Sequence, residues 1–208
     1  MKVSIIGAGN VGMALARAFS ARGQRVTLGV PEPTQYAEEA ALLGTHAQIV
    51  TASEAIIKGQ IVILAVPYSA ALQIAAELSD WGGRILVDAT NPIAPALAGL
   101  SIGTTFSGAE NIASRAHNAR VVKAFNTTGA ENMADSRYPG GEIFMPICGD
   151  DADARAQILT LARLIGFDAV DMGELKAARY LEPFAMTWIH LAIKQGAGRR
   201  FAFGRLAR

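Results

Sequence analysis

Three glycines near the start of the chain have the spacing of a phosphate-binding turn. The run Gly7-Ala8-Gly9-Asn10-Val11-Gly12 directly follows an apolar stretch and opens a segment of helical period. In this context the first glycine permits a tight turn, the second lets the backbone approach a pyrophosphate, and the third lets helix and strand pack closely. Free amide groups and the positive end of the helix dipole would face the phosphates. The sequence therefore predicts a dinucleotide site; the alternative is a glycine-rich turn without a ligand.

The end of the second apolar run decides which dinucleotide fits. NAD sites place a carboxylate there for the ribose 2′-hydroxyl, whereas NADP sites offer an arginine or a hydroxyl for the 2′-phosphate. Glu32 lies twenty positions after Gly12, the nominal distance for a ribose ligand. It also lies two residues past the apparent strand end and between two prolines, as a solvated turn residue would. Both interpretations stay open.

Two further strand ends carry polar side chains. Asn91 follows the run that ends at Asp88, and Asn126 follows the run that ends at Phe125. In an open α/β sheet, ligands bind beyond the carboxyl ends of the strands. An asparagine amide offers a donor and an acceptor, which suits a nicotinamide carboxamide or its ribose. Local turn formation is the alternative explanation for either asparagine, and Asp88 could be an ordinary strand-end residue.

Other reactive residue types point to no metal or nucleophile site. His46, His117 and His190 lie in unrelated segments without a neighbouring carboxylate at ligand spacing. Cys148 lies inside an apolar run, where a thiol usually packs as a small hydrophobic group. We therefore predict no metal centre and no catalytic triad.

The secondary-structure elements that position these residues are predicted to be repeated βαβ units. Short runs rich in Val and Ile alternate with Ala-rich segments of helical period, which is typical of a doubly wound, mostly parallel sheet. Several residues predict where helices begin and end. Ser107 and Glu110 have the spacing of a capping box, Asp150 and Asp151 precede a helix, and Gly23 and Gly166 follow helix ends. The predicted strands are residues 2–7, 25–30, 47–51, 60–66, 84–88, 120–125, 143–148 and 167–171.

The last part of the chain differs in composition. Residues 173–195 are predicted to form one or two helices, broken or kinked at Pro183. Their aromatic and neighbouring side chains either cover the last sheet edge or line the mouth of a substrate cleft: Tyr180, Phe184, Met186, Trp188 and His190. Arginines at 199, 200, 205 and 208 predict a solvated or partner-packed tail. We thus divide the chain into a dinucleotide-binding domain (1–172) and a helical segment over the substrate cleft (173–208), and expect a homodimer through this segment.

Composition restricts the class of protein. Of the 208 residues, 51% are apolar and 18% charged, so the chain can bury a core. Nineteen basic residues against eighteen acidic ones give no field that would favour nucleic acid or an anionic membrane. The apolar run 61–66 is far shorter than the roughly 20 residues of a spanning helix. A single cysteine fits a reducing compartment, and we expect a cytoplasmic protein without nucleic-acid or membrane partners.

These motifs together resemble a known family. They are residues 7–12, Ala65-Val66-Pro67, Asn91-Pro92, Ser107-Gly108-Ala109-Glu110, Val121-Val122-Lys123-Ala124-Phe125-Asn126-Thr127 and Trp188. The chain resembles, over essentially its whole length, the NADPH-dependent deazaflavin-coenzyme (F420) reductases, and the cytosolic oxidoreductase domain of STEAP-type metalloreductases. The stretch around Asn126 is the most specific element, because many dehydrogenases share the glycine fingerprint.

The resemblance implies a Rossmann domain that holds NADPH and passes hydride to a flavin or deazaflavin, or through a flavin to a metal. The cofactor residues it implies are Gly7, Ala8, Gly9, Asn10, Val11, Gly12, Gly29, Val30, Pro31, Ala65, Val66, Pro67, Asn91, Pro92, Ala124 and Asn126. Thr127, Thr128, Met186 and Trp188 are implied for the acceptor. The family's Ser-Arg or Thr-Arg pair, which grips the 2′-phosphate, is Val30-Pro31 here, so the choice between NADP and NAD stays open.

The resemblance implies no catalytic side chain, because the two cofactors carry out the hydride chemistry and the protein fixes their geometry. Two other functions remain as alternatives. One is a non-catalytic dinucleotide sensor that signals to a partner. The other is a small carbonyl or imine reductase, for which Lys176 and Lys194 are the candidate residues.

Overall fold

The computed structural model describes residues 1–206 of the chain. These residues fold around a nine-stranded sheet with helices on both faces. Arg208 of the predicted tail lies outside these residues. The strands are β1 (Val3–Ile6), β2 (Val26–Val30), β3 (Ala47–Thr51), β4 (Ile61–Leu64), β5 (Ile85–Asp88), β6 (Arg120–Lys123), β7 (Arg137–Tyr138), β8 (Gly141–Gly149) and β9 (Phe167–Asp171). The helices are α1 (Asn10–Ala21), α2 (Ala37–Leu43), α3 (Ala52–Lys58), α4 (Tyr68–Glu77), α5 (Gly108–Ala113), α6 (Ala130–Ala134), α7 (Ala152–Leu164) and α8 (Ala178–Ile189).

The sheet is parallel at its centre, which confirms the predicted doubly wound α/β class. The strand order is β3-β2-β1-β4-β5-β6-β8-β7, and β9 pairs with β8. Every pair from β3 to β6 is parallel, whereas β8 runs antiparallel to β6. The eight strands predicted from Val- and Ile-rich runs coincide with observed ones. The two-residue β7 was not predicted, because so short a strand leaves no hydrophobic period.

Two apolar cores lie on opposite faces of the sheet. Phe19 of α1 packs with Phe125 on one face, at 6.2 Å between ring centroids. On the other face Trp81 is fully buried, and its Nε1 donates to the Ala75 carbonyl at 2.9 Å. Because both faces are covered, the central strands are buried throughout, as their continuous apolar sequences require.

Most of the predicted helix ends are observed. Ser107 and Glu110 form the reciprocal capping box of α5. Asp151 caps α7 by accepting from the Ala154 amide at 2.7 Å. Its neighbour Asp150 instead accepts from the Leu175 amide at 2.9 Å, so only one of the two predicted aspartates caps the helix. Gly23 and Gly166 have φ of +75° and +93°, the left-handed conformation expected after a helix end.

The C-terminal segment is one helix followed by an extended tail. Helix α8 is not broken at Pro183 and continues into a π-helical turn, His190–Lys194. The tail then contacts the last strands: the Phe144 amide donates to the Phe203 carbonyl at 2.9 Å, and Arg205 pairs with Asp168. Within residues 1–206 we find no helix with the length and apolar character needed to cross a bilayer.

Candidate functional site

The glycine turn between β1 and α1 is shaped by two close approaches. Gly7 has a φ of +105°, and a Cβ there would lie 2.5 Å from the Ala65 carbonyl oxygen. A Cβ on Gly12 would overlap the carbonyl oxygen of Gly7. The Gly7 amide donates to the Gly29 carbonyl at 2.9 Å, which ties the turn to the end of β2. The fold itself therefore requires the first and third glycines.

Gly9, the middle glycine, is not required by packing. It is exposed, its φ of −71° suits any residue, and a Cβ there would meet nothing within 4 Å. Gly9 precedes α1 without a side-chain cap, so the amides of the first helical turn have no protein acceptor from a capping side chain. A bare helix start with open space above it fits the diphosphate of a dinucleotide.

The predicted inner-half residues meet at the same edge of the sheet. Strands β1, β4, β5 and β6 are parallel neighbours, so their carboxyl ends lie side by side. The Ala65 amide donates to the Ile6 carbonyl at 2.9 Å, and the Ala124 amide donates to the Asp88 carbonyl at 3.2 Å. The structure thus brings together the glycine turn and the segments Ala65-Val66-Pro67, Asn91-Pro92 and Ala124 to Asn126.

Asn91 and Asn126 form a hydrogen-bonded pair at this edge. Asn91 Nδ2 donates to the Asn126 carbonyl at 2.9 Å, and Asn126 Nδ2 donates to Asn91 Oδ1 at 3.0 Å. Asn126 is 5% exposed, yet its Oδ1 accepts no hydrogen bond from the described residues. A buried acceptor without a partner costs free energy, so this oxygen fits a ligand that brings a donor, such as a carboxamide NH₂.

The backbone before Asn126 is strained. Phe125 has a φ of +63°, a left-handed conformation that bulky residues rarely adopt. Its ring is fully buried and packs against Phe19 and Phe167, which holds the conformation in place. Such strain is commonly retained at functional sites. Here it turns the chain just after β6, next to the unpaired side-chain oxygen of Asn126.

A buried ion cluster of Lys123, Asp88 and Glu182 lies directly behind the asparagine pair. Lys123 Nζ donates to Asp88 Oδ2 at 2.8 Å, to Glu182 Oε1 at 3.0 Å and to the Thr90 carbonyl at 2.7 Å. All three donors of the ammonium are therefore used. Burial disfavours the ammonium, but the two carboxylates outweigh it and raise the pKa of Lys123 above its usual range. The cluster thus contains one lysine and two acidic side chains.

The carboxylates of this ion cluster connect four elements. Glu182 of α8 also accepts from the amides of Gly108 and Ala109, at 2.9 and 3.1 Å, at the start of α5. Asp88 Oδ1 accepts from the amide and the hydroxyl of Thr90, at 2.9 and 2.7 Å. Thr90 directly precedes Asn91, and the carbonyl of Leu181, beside Glu182, accepts from Asn126 Nδ2 at 3.4 Å. The ion cluster therefore positions the asparagine pair.

Sequence reasoning missed Lys123 and Glu182 as site residues. A lysine between Val122 and Ala124, inside an apolar run, was the available signal, because a buried lysine needs a carboxylate partner. Tyr68, at the start of α4, was also missed. Its hydroxyl accepts from Asn111 Nδ2 at 2.8 Å, and burial, with the nearby carboxylates, raises its pKa despite that hydrogen bond.

Of the residues predicted for the acceptor, Trp188 lies against the C-terminal tail. Trp188 is buried, stacks on Phe201 at 5.5 Å and donates from Nε1 to the Phe201 carbonyl at 2.9 Å. Thr128 Oγ1 accepts from Asn132 Nδ2 at 2.7 Å, and the Thr127 hydroxyl contacts the sulfur of Met145. Met186 is half-buried on α8. Their role toward an acceptor stays a prediction.

The remaining candidates do not join the site. His46, His117 and His190 are exposed, and no group of three potential metal ligands was found among residues 1–206. Burial raises the pKa of Cys148 to about 12, so its thiol stays protonated at neutral pH. Lys176 and Lys194 are exposed. At the end of β2, Val30 is buried while Pro31 and Glu32 are exposed.

The sheet order and the glycine turn define a Rossmann-type dinucleotide-binding protein. Residues 2–92 match the family described as NADP oxidoreductase, coenzyme F420-dependent. A solved structure from Arthrobacter sp. FB24, described as that of a proposed F420-dependent NADP reductase, is 30% identical, with a TM-score of 0.86 and full coverage of both chains. The hypothetical protein SMa0349 of Sinorhizobium meliloti is 32% identical, with a TM-score of 0.81 over 88% of this chain and 90% of that one.

The chain belongs to the F420-dependent NADP oxidoreductase family. It is also 32% identical over 184 residues to the metalloreductase STEAP3 of Rattus norvegicus. That similarity covers 87% of this chain but only 36% of the rat protein, so the chain spans about a third of the length of that relative.

Proposed function

We propose that this chain binds a reduced nicotinamide dinucleotide along the carboxyl edge of its sheet and delivers the hydride to a flavin or deazaflavin. The observation that carries the proposal is the combination of a bare helix start at Gly9 with an unpaired buried amide oxygen at Asn126, which follow the carboxyl ends of β1 and β6 in the same parallel part of the sheet. The first suits the diphosphate and the second suits the carboxamide of the nicotinamide. Membership in an oxidoreductase family supports the same assignment.

The protein's own contribution is positional. The bound dinucleotide supplies the hydride chemistry, which needs the two rings at a fixed distance and orientation. Asn126 would orient the carboxamide. The ion cluster of Lys123, Asp88 and Glu182 would hold Asn91 and Asn126 in the position that this contact needs. The acid and base groups beside these asparagines are fully buried and paired with one another, so their role is to hold the site and not to relay protons.

A flavin-type acceptor is supported by one similarity. The Arthrobacter structure is described as that of a proposed F420-dependent reductase, and F420 is a deazaflavin. The aromatic side chains of α8 and the tail pack against one another, and the half-buried ones offer a planar ring a surface to stack on: Phe184, Phe201 and Phe203. The acceptor is thus proposed to be a small molecule that enters beside the C-terminal segment.

The test measures loss of the 340-nm absorbance of NADH and NADPH in the presence of FMN, FAD or a deazaflavin. We expect acceleration with at least one pair, and none with Gly9→Val, whose side chain would fill the space over the helix start. No acceleration with any pair would contradict the enzymatic proposal. Tight dinucleotide binding without turnover would instead favour the sensor, and turnover of carbonyl or imine substrates alone would favour the small reductase.

We further propose a homodimer formed through the C-terminal segment. Its exposed apolar side chains include Tyr180, Leu191 and Ile193. Light scattering on the purified protein should give twice the mass of the chain, and a Tyr180→Glu, Ile193→Glu variant should give the mass of one. A monomeric wild-type protein at micromolar concentration would contradict this.

A further inference from the structure

The end of β2, where the 2′ position of an adenosine ribose would lie, carries a carboxylate. Glu32 is exposed, and its Oε2 accepts from Gln35 Nε2 at 2.7 Å. Its Oε1 accepts no hydrogen bond from the described residues. The Gly7–Gly29 backbone contact places the strand before this residue against the phosphate turn. An acceptor oxygen is thus available beside the dinucleotide site.

The stretch of chain that carries Glu32 contains no compensating cation. Residues 26–57 include no lysine and no arginine, but four glutamates: Glu32, Glu38, Glu39 and Glu54. This stretch supplies the loop that follows β2 and the loop that follows its neighbour β3. The first basic residue along α1 is Arg17, about 10 Å along the helix axis from Asn10, and it lines a surface depression together with Gly9, Asn10, Glu39 and Glu131. A 2′-phosphate beside Glu32 would therefore meet a carboxylate and no basic residue of this stretch.

We propose that, within this NADP oxidoreductase family, the chain prefers NADH to NADPH, with Glu32 as the specificity-determining residue. A carboxylate accepts a hydrogen bond from a ribose 2′-hydroxyl and repels a 2′-phosphate, which carries close to two negative charges. Pro31 can donate no backbone hydrogen bond to a phosphate either, because proline has no N–H. This inference rests on the proposed dinucleotide site.

The experiment is a calorimetric titration of the full chain with NADH and with NADPH, repeated with ADP-ribose and 2′-phospho-ADP-ribose. The second pair isolates the 2′ substituent from the nicotinamide. We expect the wild-type dissociation constant for each 2′-phosphorylated ligand to exceed that of its partner by about tenfold or more. Raising the salt concentration should narrow this ratio, because the repulsion is between solvent-exposed charges.

Four variants identify the residue responsible for the preference. Glu32→Ala should lower the ratio by about fivefold or more, and Pro31→Arg combined with Glu32→Ala should invert it, because an arginine then replaces the repulsion. Glu38→Ala, which removes another exposed carboxylate from the same stretch, is the matched control and should leave the ratio unchanged. Arg17→Ala should also leave it unchanged.

Two results would overturn the inference while leaving the dinucleotide site intact. One is wild-type protein that binds NADPH as tightly as NADH or more tightly. The other is a ratio that Glu32→Ala does not change, or that depends on Arg17. Failure of all four ligands to bind would instead reject the dinucleotide site, and the inference with it.

Discussion

The two ends of the candidate dinucleotide site are built by opposite means. At the nicotinamide end, the ion cluster and Asn126 are buried, Asn91 is half-buried, and the donors and acceptors of the ion cluster are matched across four elements. Among buried side-chain atoms of the described residues, only Asn126 Oδ1 and Ser4 Oγ lack a partner. At the adenosine end, Pro31 and Glu32 are exposed, and the hydrogen bond from Gln35 is the side-chain contact found for Glu32.

This difference indicates where a substitution can change cofactor specificity with little loss of stability. A substitution in a buried, fully paired cluster alters folding before it alters binding, because the groups left behind lose their partners. A substitution on an exposed loop changes the ligand's surroundings with little effect on stability. We therefore expect the nicotinamide end to set the position of the ring, and the adenosine end to set the choice between NADH and NADPH.

The largest expected effect comes from removing the buried ammonium. Lys123→Met leaves Asp88 and Glu182 facing each other without a cation, which should lower the free energy of unfolding by about 3–5 kcal/mol. Urea denaturation followed by circular dichroism measures this value. If the variant does not fold, Glu182→Gln keeps the Lys123–Asp88 pair and should cost about 2 kcal/mol.

A substitution at the adenosine end should have a much smaller effect on the free energy of unfolding. Glu32→Ala should alter the free energy of unfolding by no more than about 0.5 kcal/mol, since the side chain is exposed. Equal losses for Lys123→Met and Glu32→Ala would remove the distinction between the two ends.

The second effect concerns the diphosphate, which both ends share. Gly9→Val should raise the dissociation constants of NADH and ADP-ribose alike by about a hundredfold, because the side chain occupies the space above the helix start. The unfolding free energy should change little, as a Cβ at Gly9 meets no atom within 4 Å. Gly12→Ala provides the contrast: its Cβ would overlap the Gly7 carbonyl, so that variant should lose stability. Unchanged affinity in Gly9→Val would reject the assigned turn.

The fold and the outer part of this site could be predicted from sequence, whereas the buried ion cluster could not. Strands of Val and Ile between helical segments, and polar residues directly after them, are local patterns that revealed Asn91 and Asn126. Lys123 finds its carboxylates 35 and 59 positions away, and no local spacing relates them. The local sequence does not indicate the left-handed conformation of Phe125 either, because packing against Phe19 and Phe167 imposes it.

The third effect separates nicotinamide from adenosine. Asn126→Ala removes the unpaired Oδ1, so the dissociation constant of NADH should rise about tenfold, the value of one buried hydrogen bond. ADP-ribose, which lacks the nicotinamide, should bind as to wild type. Calorimetry with both ligands makes the comparison. A parallel loss for the two ligands would mean that Asn126 supports the site as a whole and does not contact the carboxamide.

The smallest effect lies at the rim of the nicotinamide end, where Arg179 of α8 pairs with Glu110 of α5 through contacts of 2.9 and 2.6 Å. The Arg179 hydrogen bonds hold the pKa of Glu110 below its usual range, although partial burial opposes the shift. A carboxyl whose folded pKa lies below its unfolded value stabilises the protein above the unfolded pKa, and loses that contribution as pH falls through the folded pKa. Glu110→Gln should therefore cost about 1 kcal/mol at pH 7, and the gap from wild type should close in urea titrations as pH falls below about 4.5. A gap that stays constant down to pH 3 would show that Glu110 stabilises the protein through its capping hydrogen bonds with Ser107 within α5, and not through its charge pairing with Arg179 of α8. In that case the ionic character of the nicotinamide end would be confined to its buried cluster.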